Sequence, residues 1–344
     1  MTTVHVVLPN DIDDPAEPSG GNCYDRQVCD GLAALGWTVV EHPVPGPWPQ
    51  PDRAARARLA ELLGGLPNGS VVLLDGLVGC TVPDVLLPHA ERLRLVLLLH
   101  MPIGDPAERA VLPAAAAVVT TSGWTRRRVL ERYRLDPATV HVAEPGVTAA
   151  GLAPGTATGA ELLCVATVSA VKGHDLLVDA LALLDELPVR CTCVGSLTRD
   201  PDFVAGLRHR IRDRGLDDRV CLAGPRTGAD LDACYAAADV LVLASRSEPY
   251  GMVITEALAR GLPVIAPDVG GVAEALGAGP DGSRPGLLVA PERPAALADA
   301  LGSWLGDAGL RDRLRATARQ RRGSLAGWAQ TADRLAGVLT RVAA

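Results

Sequence analysis

Two consecutive α/β halves, each a doubly wound parallel sheet, are the fold class this sequence predicts. Three observations lead there. Short Val- and Leu-rich runs alternate with segments of helical period along nearly the whole chain, the pattern of βαβ units. Runs such as Val71–Leu74 and Leu95–Leu99 are continuously apolar, as strands buried on both faces of a parallel sheet must be. The length of 344 residues exceeds the roughly 250–300 at which a single core stops growing, so two domains are expected.

The first half should place strands near 3–8, 38–41, 70–74, 94–99, 116–120 and 139–142, with helices near 22–35, 52–64, 83–91 and 123–134. Pro43–Pro51 reads as a rigid loop. A turn at Glu144-Pro-Gly-Val147 leads into Gly151–Gly159, whose Gly, Thr and Ala offer no buried face and suit a linker. The alternation then restarts, with strands near 161–166, 189–194, 219–222, 239–243, 263–265 and 286–289 and helices near 174–186, 201–213, 229–237 and 251–260. From about 294 the pattern is helical throughout, with Trp328 on the last amphipathic segment.

Composition narrows the function classes. An apolar fraction of 48% with 21% charged residues is ordinary for a globular protein, and a single Phe makes the cores aliphatic. The formal charge of −7 and a pI near 5.5 argue against nucleic acid as partner. Residues 1–149 hold 12 Arg against 17 Asp and Glu, leaving 21 basic and 23 acidic in the rest, so neither half is a polycation. Eight scattered cysteines without a CxxC read as reduced, mostly buried thiols of a cytoplasmic protein. The chain starts on a strand-like run with no signal segment before it, and its apolar runs are too short to span a bilayer. Seven scattered histidines with no HxxxH spacing give no metal site.

Ligands of open α/β sheets bind at the carboxyl ends of strands, so the loops there carry the search. The first loop ends Ser19-Gly-Gly-Asn22 before a helix. Gly20 and Gly21 would expose N–H groups at a helix N-terminus, which suits an anion, or form a flexible turn with an Asn cap. No GxGxxG and no GxxxxGK[ST] is present, so a dinucleotide-dependent oxidoreductase lacks support. The corresponding loop of the second half holds Lys172-Gly173, directly before a helix opening at His174. Lys172 is the only lysine among 33 Lys and Arg, which favours a phosphate contact over a chance surface position. The densest stretch runs Ser245-Arg-Ser-Glu-Pro-Tyr-Gly-Met-Val-Ile-Thr-Glu256. Glu248 lies in a turn and Glu256 inside the following helix, which Gly251 opens. Such carboxylates can hold hydroxyls while the N–H groups of Met252 and Val253 face an anion, as a sugar joined to a diphosphate requires, or they are simply an acidic helix start.

These stretches, together with Leu222-Ala-Gly-Pro225, Leu231–Val240 and the run onward to Leu276, resemble glycosyltransferase family 4, retaining enzymes of the GT-B fold. Glu248 and Glu256 match the family's Glu-x7-Glu, Lys172-Gly173 its KG, and Ser19-Gly20-Gly21 its SGG. Pro145-Gly-Val147 and the final helix with Trp328 fit as well, so the match touches nearly the whole chain and is most specific in the second half. The resemblance implies two Rossmann-like domains facing a central cleft. Residues 1–149 would bind the acceptor and 150–322 the nucleotide-sugar donor, with 323–344 returning to the first domain. By position Glu248 would contact the donor sugar's hydroxyls and Glu256 the ribose. Lys172, Gly20, Gly21 and the N–H groups of Met252 and Val253 would take the diphosphate, with Tyr250 and Gly251 in the same donor turn and Gly224 beside the base. His100 would point at the sugar, and Asn22, Tyr24 and Asp75 would lie on the acceptor side. One departure is Thr167, where the family often has an arginine five residues before the lysine; Arg246 or Arg226 are the candidate replacements.

The implied reaction is transfer of a glycosyl group, with retention, from a nucleotide-diphosphate sugar to a hydroxyl of a small acceptor, with no cofactor required. His100, Glu248 and Lys172 are the expected catalytic set. Sugar-nucleotide epimerisation, phosphorolysis, or non-catalytic sugar-nucleotide binding are the alternatives. The basic helix Ser122–Arg134 is either a solvated face or a means of peripheral membrane association. Donor base, acceptor and oligomeric state are left open by the sequence.

Overall fold

In the computed structural model, which describes residues 2–184 and 187–344, each apolar run expected as a strand pairs in parallel with its neighbours. The first sheet contains β1 (Thr3–Pro9), β2 (Thr38–Val44), β3 (Val71–Asp75), β4 (Arg94–Leu99), β5 (Ala117–Thr120) and β6 (Val140–Val142), in the order β2-β1-β3-β4-β5-β6. β3 and β5 are buried at every position, which is why their sequences carry almost only aliphatic side chains. Between them run α1 (Gly20–Ala34), α2 (Arg53–Gly65), α3 (Gly76–Gly79), α4 (Pro83–Leu86), α5 (Pro106–Val111) and α6 (Gly123–Tyr133).

The second sheet contains β7 (Glu161–Val165), β8 (Arg190–Val194), β9 (Val220–Gly224), β10 (Val240–Val242), β11 (Val264–Pro267) and β12 (Gly286–Val289), in the order β12-β11-β10-β7-β8-β9. Its helices are α7 (His174–Ala182), α8 (Pro201–Asp213), α9 (Gly228–Ala237), α10 (Met252–Ala259), α11 (Val272–Leu276), α12 (Pro294–Gly306) and α13 (Ala308–Arg322). The expected helix 174–186 is thus shorter, and its last two residues lie outside the described ones.

The chain divides into two units, one of Met1–Asp13, Gly20–Gly146 and Ala326–Ala344, the other of Asp14–Ser19 and Val147–Leu325. The segment Asp14–Ser19 is held in the second unit by Glu17, which accepts hydrogen bonds from Thr198 and Arg199. The last helix, α14 (Trp328–Ala343), belongs to the first unit. It buries Thr331, Ala332, Leu335, Val338 and Leu339, and the Trp328 ring meets Tyr24 edge-on at 5.7 Å. Thr331 Oγ1 donates to the Glu144 carbonyl at 2.7 Å. The chain passes so close at this point that a Cβ on Gly146 would stand 2.3 Å from the Trp328 nitrogen, so only glycine fits.

Three expectations need correction. The helix expected at 83–91 ends at Leu86 and continues as a 3₁₀ turn over Leu87–His89, because Pro88 has no N–H to continue the ladder. The C-terminal region is not helical throughout. It breaks at Asp307, whose carboxylate caps α13 through Leu310 N–H at 2.9 Å, and again between Arg322 and Trp328. Nor is Gly151–Gly159 a linker without a buried face. Ala153 and Gly159 are buried, and Thr156 donates through both its N–H and its hydroxyl to the fully buried Asp239, which also takes Arg315 at 2.9 Å. The short helices α3, α5 and α11 were not anticipated, since four to six residues show too little periodicity.

Both cores are aliphatic, with Trp304, Tyr24 and Tyr235 the largest fully buried side chains. All eight cysteines are free thiols and five of them are buried. Among the described residues no helix is long and apolar enough to cross a membrane.

Trp304 ties α12 to the segment before β7, its indole N–H donating to the Gly159 carbonyl at 2.7 Å. Trp304→Ala should therefore remove roughly 3–5 kcal/mol from the second unit, read as a lower denaturant midpoint in chemical unfolding followed by circular dichroism.

Candidate functional site

In the second sheet the winding reverses between β7 and β10, which are neighbours although far apart in sequence. Their following loops are therefore brought side by side at the carboxyl end of the sheet. After β7 the chain makes a 3₁₀ turn over Ala170–Lys172 and then Gly173 in the left-handed region, at φ 68°, before α7 begins. A Cβ on Gly173 would lie 2.0 Å from the Ala244 carbonyl oxygen in the loop after β10, so glycine permits the two loops to touch. Arg246 N–H donates to the Val171 carbonyl at 2.8 Å across the same contact.

This approach puts Lys172 Nζ 2.7 Å from Glu248 Oε2. Ser245 Oγ lies 3.4 Å from the same oxygen, and Glu248 is 8% exposed. The sequence had assigned the two charges separate tasks, and the structure makes them one ion pair. Gly251, at φ 97°, opens α10 with Met252 and Val253 as its first two residues, so their N–H groups lack intrahelical partners. Tyr250 is buried within the turn. Behind it, a Cβ on Gly270 would be 1.9 Å from the Glu248 carbonyl oxygen, which explains the Gly270-Gly271 pair of the sequence.

Glu256 accepts a hydrogen bond from Tyr235 Oη at 2.7 Å, and the Arg260 guanidinium lies 4.3 Å above that tyrosine ring. Burial raises the Glu256 carboxyl above its ordinary pKa, against the opposing pull of Tyr235 and Arg260. Gly224 ends β9 in the left-handed region and accepts from Gly195 N–H at 3.0 Å. Of the two arginines considered in place of Thr167, Arg246 stands beside the lysine turn with its guanidinium engaged by Asp175 at 2.6 and 2.9 Å. Arg226 is exposed and donates to the Pro225 carbonyl.

The first sheet reverses between β1 and β3. Gly20 and Gly21 prove to be the first two residues of α1, not a turn ahead of it, so their N–H groups are among those a helix start leaves unpaired within the helix. The His100 ring, following β4, packs against Gly21, where a Cβ would approach its Cδ2 at 3.3 Å. His100 Nε2 lies 2.8 Å from Asp25 Oδ1 and 3.3 Å from Asp75 Oδ2. Both carboxylates are buried, and Asp75 Oδ1 also accepts from Leu77 N–H at 2.5 Å. Tyr24 is fully buried with its hydroxyl on the Ala143 carbonyl, so it backs His100 edge-on at 5.2 Å and does not present its hydroxyl to a ligand. Asn22 donates to the Asp11 carbonyl at 3.0 Å and shapes the first loop.

Asp25 was missed by sequence reasoning, because nothing local marks it among the polar residues of α1. Burial pushes its carboxyl up to about 7, against the attraction of His100 and with Asp75 adding to the rise. Burial alone would lower His100, but Asp25 and Asp75 overcome this and raise it to about 10. Asp75 stays below the usual range, since His100 and the Leu77 N–H outweigh its burial. A second cluster unforeseen from spacing is Cys164, His174 and Cys193 under the lysine turn, with donor atoms within 4.8 Å of one another. His174 Nδ1 there is buried without a hydrogen-bond partner.

Residues 156–321 match the family described as glycosyl transferases group 1. A D-inositol 3-phosphate glycosyltransferase of Catenulispora acidiphila is 30% identical over 354 residues, covering 91% of this chain and 81% of that protein. Proteins of the same description from Jonesia denitrificans and Kineococcus radiotolerans are 35% and 37% identical, over 69% and 66% of this chain. The chain spans only 60% and 57% of those two relatives. The fold matches a sucrose-phosphate synthase of Thermosynechococcus elongatus (TM-score 0.79, 23% identity, 99% of each chain). It also matches Anabaena HepE in complex with UDP-glucose (TM-score 0.76, 19% identity, 99% of this chain and 100% of that one). The chain belongs to the glycosyl transferases group 1, a family of glycosyl-transferring enzymes, and its two Rossmann-like parallel sheets are those of the GT-B fold.

The raised Asp25 has a consequence for stability. Between about pH 4 and 7 the folded chain holds a proton on Asp25 that the unfolded chain has lost, so its contribution to stability falls as pH rises through that window. Asp25→Asn removes this dependence. Calorimetric melting at pH 4.5 and 6.5 should show the variant gaining on the unsubstituted chain at the higher pH.

Proposed function

We propose that this chain transfers a glycosyl group from a nucleotide-diphosphate sugar to a hydroxyl of a small acceptor, with retention of anomeric configuration. The observation that carries the reading is the Lys172–Glu248 pair, at a sheet's reversal point between two helix starts opened by left-handed glycines. A diphosphate needs positive charge and orphan N–H groups, and Lys172, α7 and α10 supply them. Glu248 can accept hydrogen bonds from sugar hydroxyls, and Glu256, backed by Tyr235, from ribose hydroxyls.

In the reaction the bond from the anomeric carbon to the diphosphate oxygen breaks, and its electron pair leaves with the diphosphate. The acceptor oxygen bonds to the same face of the carbon, and its proton passes to the departing phosphate oxygen. Negative charge builds on the diphosphate, where Lys172 and the helix N-termini already stand, so no reorganisation is needed as it develops. Because Glu248 is engaged by Lys172 and Ser245, it is better read as an orienting group than as a covalent nucleophile. The residues named supply the charge stabilisation themselves, so the step is written without a resident cofactor.

The relatives' names, with D-inositol 3-phosphate as acceptor, support a small polyhydroxylated acceptor. Eight free thiols favour the cytoplasm. Epimerisation and phosphorolysis would need, respectively, no acceptor and inorganic phosphate. Incubation with UDP-, GDP- and ADP-sugars and candidate acceptors, with mass spectrometry of the products, separates these readings.

Lys172→Ala should weaken nucleoside-diphosphate binding about tenfold and lower kcat. Titration calorimetry giving an unchanged Kd, together with an unchanged rate, would remove the assignment. Glu256→Ala should weaken binding of the free diphosphate by about tenfold or more, because a charged acceptor for the ribose is lost while the Tyr235 hydroxyl is left unpaired.

A further inference from the structure

His100 is held by two carboxylates, and one of them, Asp25, has no role in the reading above. The three groups converge from α1, the end of β3 and the residue after β4. Both carboxylates meet the same ring nitrogen, Nε2, at 2.8 and 3.3 Å, so Nε2 must carry hydrogen and serve as donor. With Nε2 so engaged, Nδ1 is the ring atom left for other work; among the described residues it has no protein partner, and it is not enclosed, since the side chain is 17% exposed. Other polar groups packed nearby are turned elsewhere. The Tyr24 hydroxyl is on the Ala143 carbonyl, and Arg334 of α14 is on Glu144.

We propose that Asp25 is a positioning residue which, with Asp75, fixes His100 as an imidazolium whose Nδ1–H is a charged hydrogen-bond donor to a substrate oxygen. The buried Asp75 carboxylate demands a positive ring, since an unprotonated ring would leave it without a counter-charge, and above about pH 7, where Asp25 is ionised as well, Asp25 adds to that demand. An imidazolium cannot accept a proton. His100 is thereby barred from acting as general base toward the acceptor, and the departing phosphate oxygen is left as the proton's destination. The raised pKa of His100, about 10, agrees with this.

The inference rests on the proposed glycosyl transfer only for its rate effect, so the test has two independent arms. In the first, histidine-labelled full-length chain is titrated by nuclear magnetic resonance, with the His100 signal assigned by loss in His100→Gln. His100 should keep its proton to pH 9, and Asp25→Asn should lower its midpoint by at least about one unit. A midpoint near 6.5 in the unsubstituted chain, or one unmoved by the substitution, overturns the proposal. In the second arm Asp25→Asn should lower kcat by about 10²-fold with donor KM within about twofold, and shift the alkaline limb of the rate profile to lower pH. Asp25→Glu should restore part of the rate. Unchanged kcat in Asp25→Asn also overturns it. If the unsubstituted chain transfers no sugar, the proposed function fails and the titration alone decides on Asp25; if Asp25→Asn does not fold, the titration of the unsubstituted chain and of Asp25→Glu decides.

Discussion

A parallel sheet wound outward from its middle has one place where the chain reverses direction, and two neighbouring strands there send their loops to opposite faces. No crossover of the same sheet passes over the carboxyl ends at that place, and helices begin beside it. In the second unit β7 and β10 stand there, in the first β1 and β3. Each chemically loaded group follows from this constraint. Lys172 comes after β7 and Glu248 after β10. Gly20 starts the helix after β1, Asp75 ends β3, and His100 follows the next strand, β4. The glycines are the local cost of the arrangement. Gly173 and Gly251 turn the chain through left-handed conformations so that helix N-termini start at the loops' closest approach.

How legible this was in the sequence depended on how local each signal is. Apart from β2, the strands were readable within a residue or two, because burial on both faces admits few side chains other than aliphatic ones; β2, mostly not buried, runs on through Pro43 and Val44, three residues past its expected end and into the stretch expected as a loop. The turn and helix start at Ser245–Glu256 were readable because their polar groups and glycine lie in one continuous stretch. Gly151–Gly159 was misread because composition cannot show that Thr156 has a partner 83 positions away in Asp239. Asp25 escaped for the same reason, its meaning lying in a contact with a histidine 75 positions on. Tyr24, expected to face an acceptor, shows the converse: its residue type suits a ligand site, but its hydroxyl is engaged by a backbone carbonyl inside the core.

The two units also solve the problem of buried charge differently. Asp239 in the second unit is fully buried yet satisfied, by two backbone N–H groups, a hydroxyl and Arg315, and so serves as a structural knot. Asp25 and Asp75 share a single charged partner, His100, with only Asp75 taking a backbone N–H besides, and the imbalance holds the Asp25 carboxyl up at about 7. An arrangement of that kind stabilises the fold less than an apolar core of equal volume would. Its chemical consequence is a histidine kept charged above neutral pH.

The same contrast explains why the chain uses its only lysine where it does. Two cations sit in the adjoining loops of the second unit, each with a carboxylate. Arg246 grips Asp175 with two nitrogens of its planar fork, and its third contact is the Ala170 carbonyl, so its donors are committed to holding the lysine turn. Among the described residues the Lys172 ammonium makes one ion pair, to Glu248. An ammonium has three donors that rotate freely, so it can stay on Glu248 while offering the others to an anion, in the proposed function the diphosphate. A guanidinium in its place would have to break a two-point grip to do the same. The arginine shapes the turn, and the lysine is the cation left with donors to give.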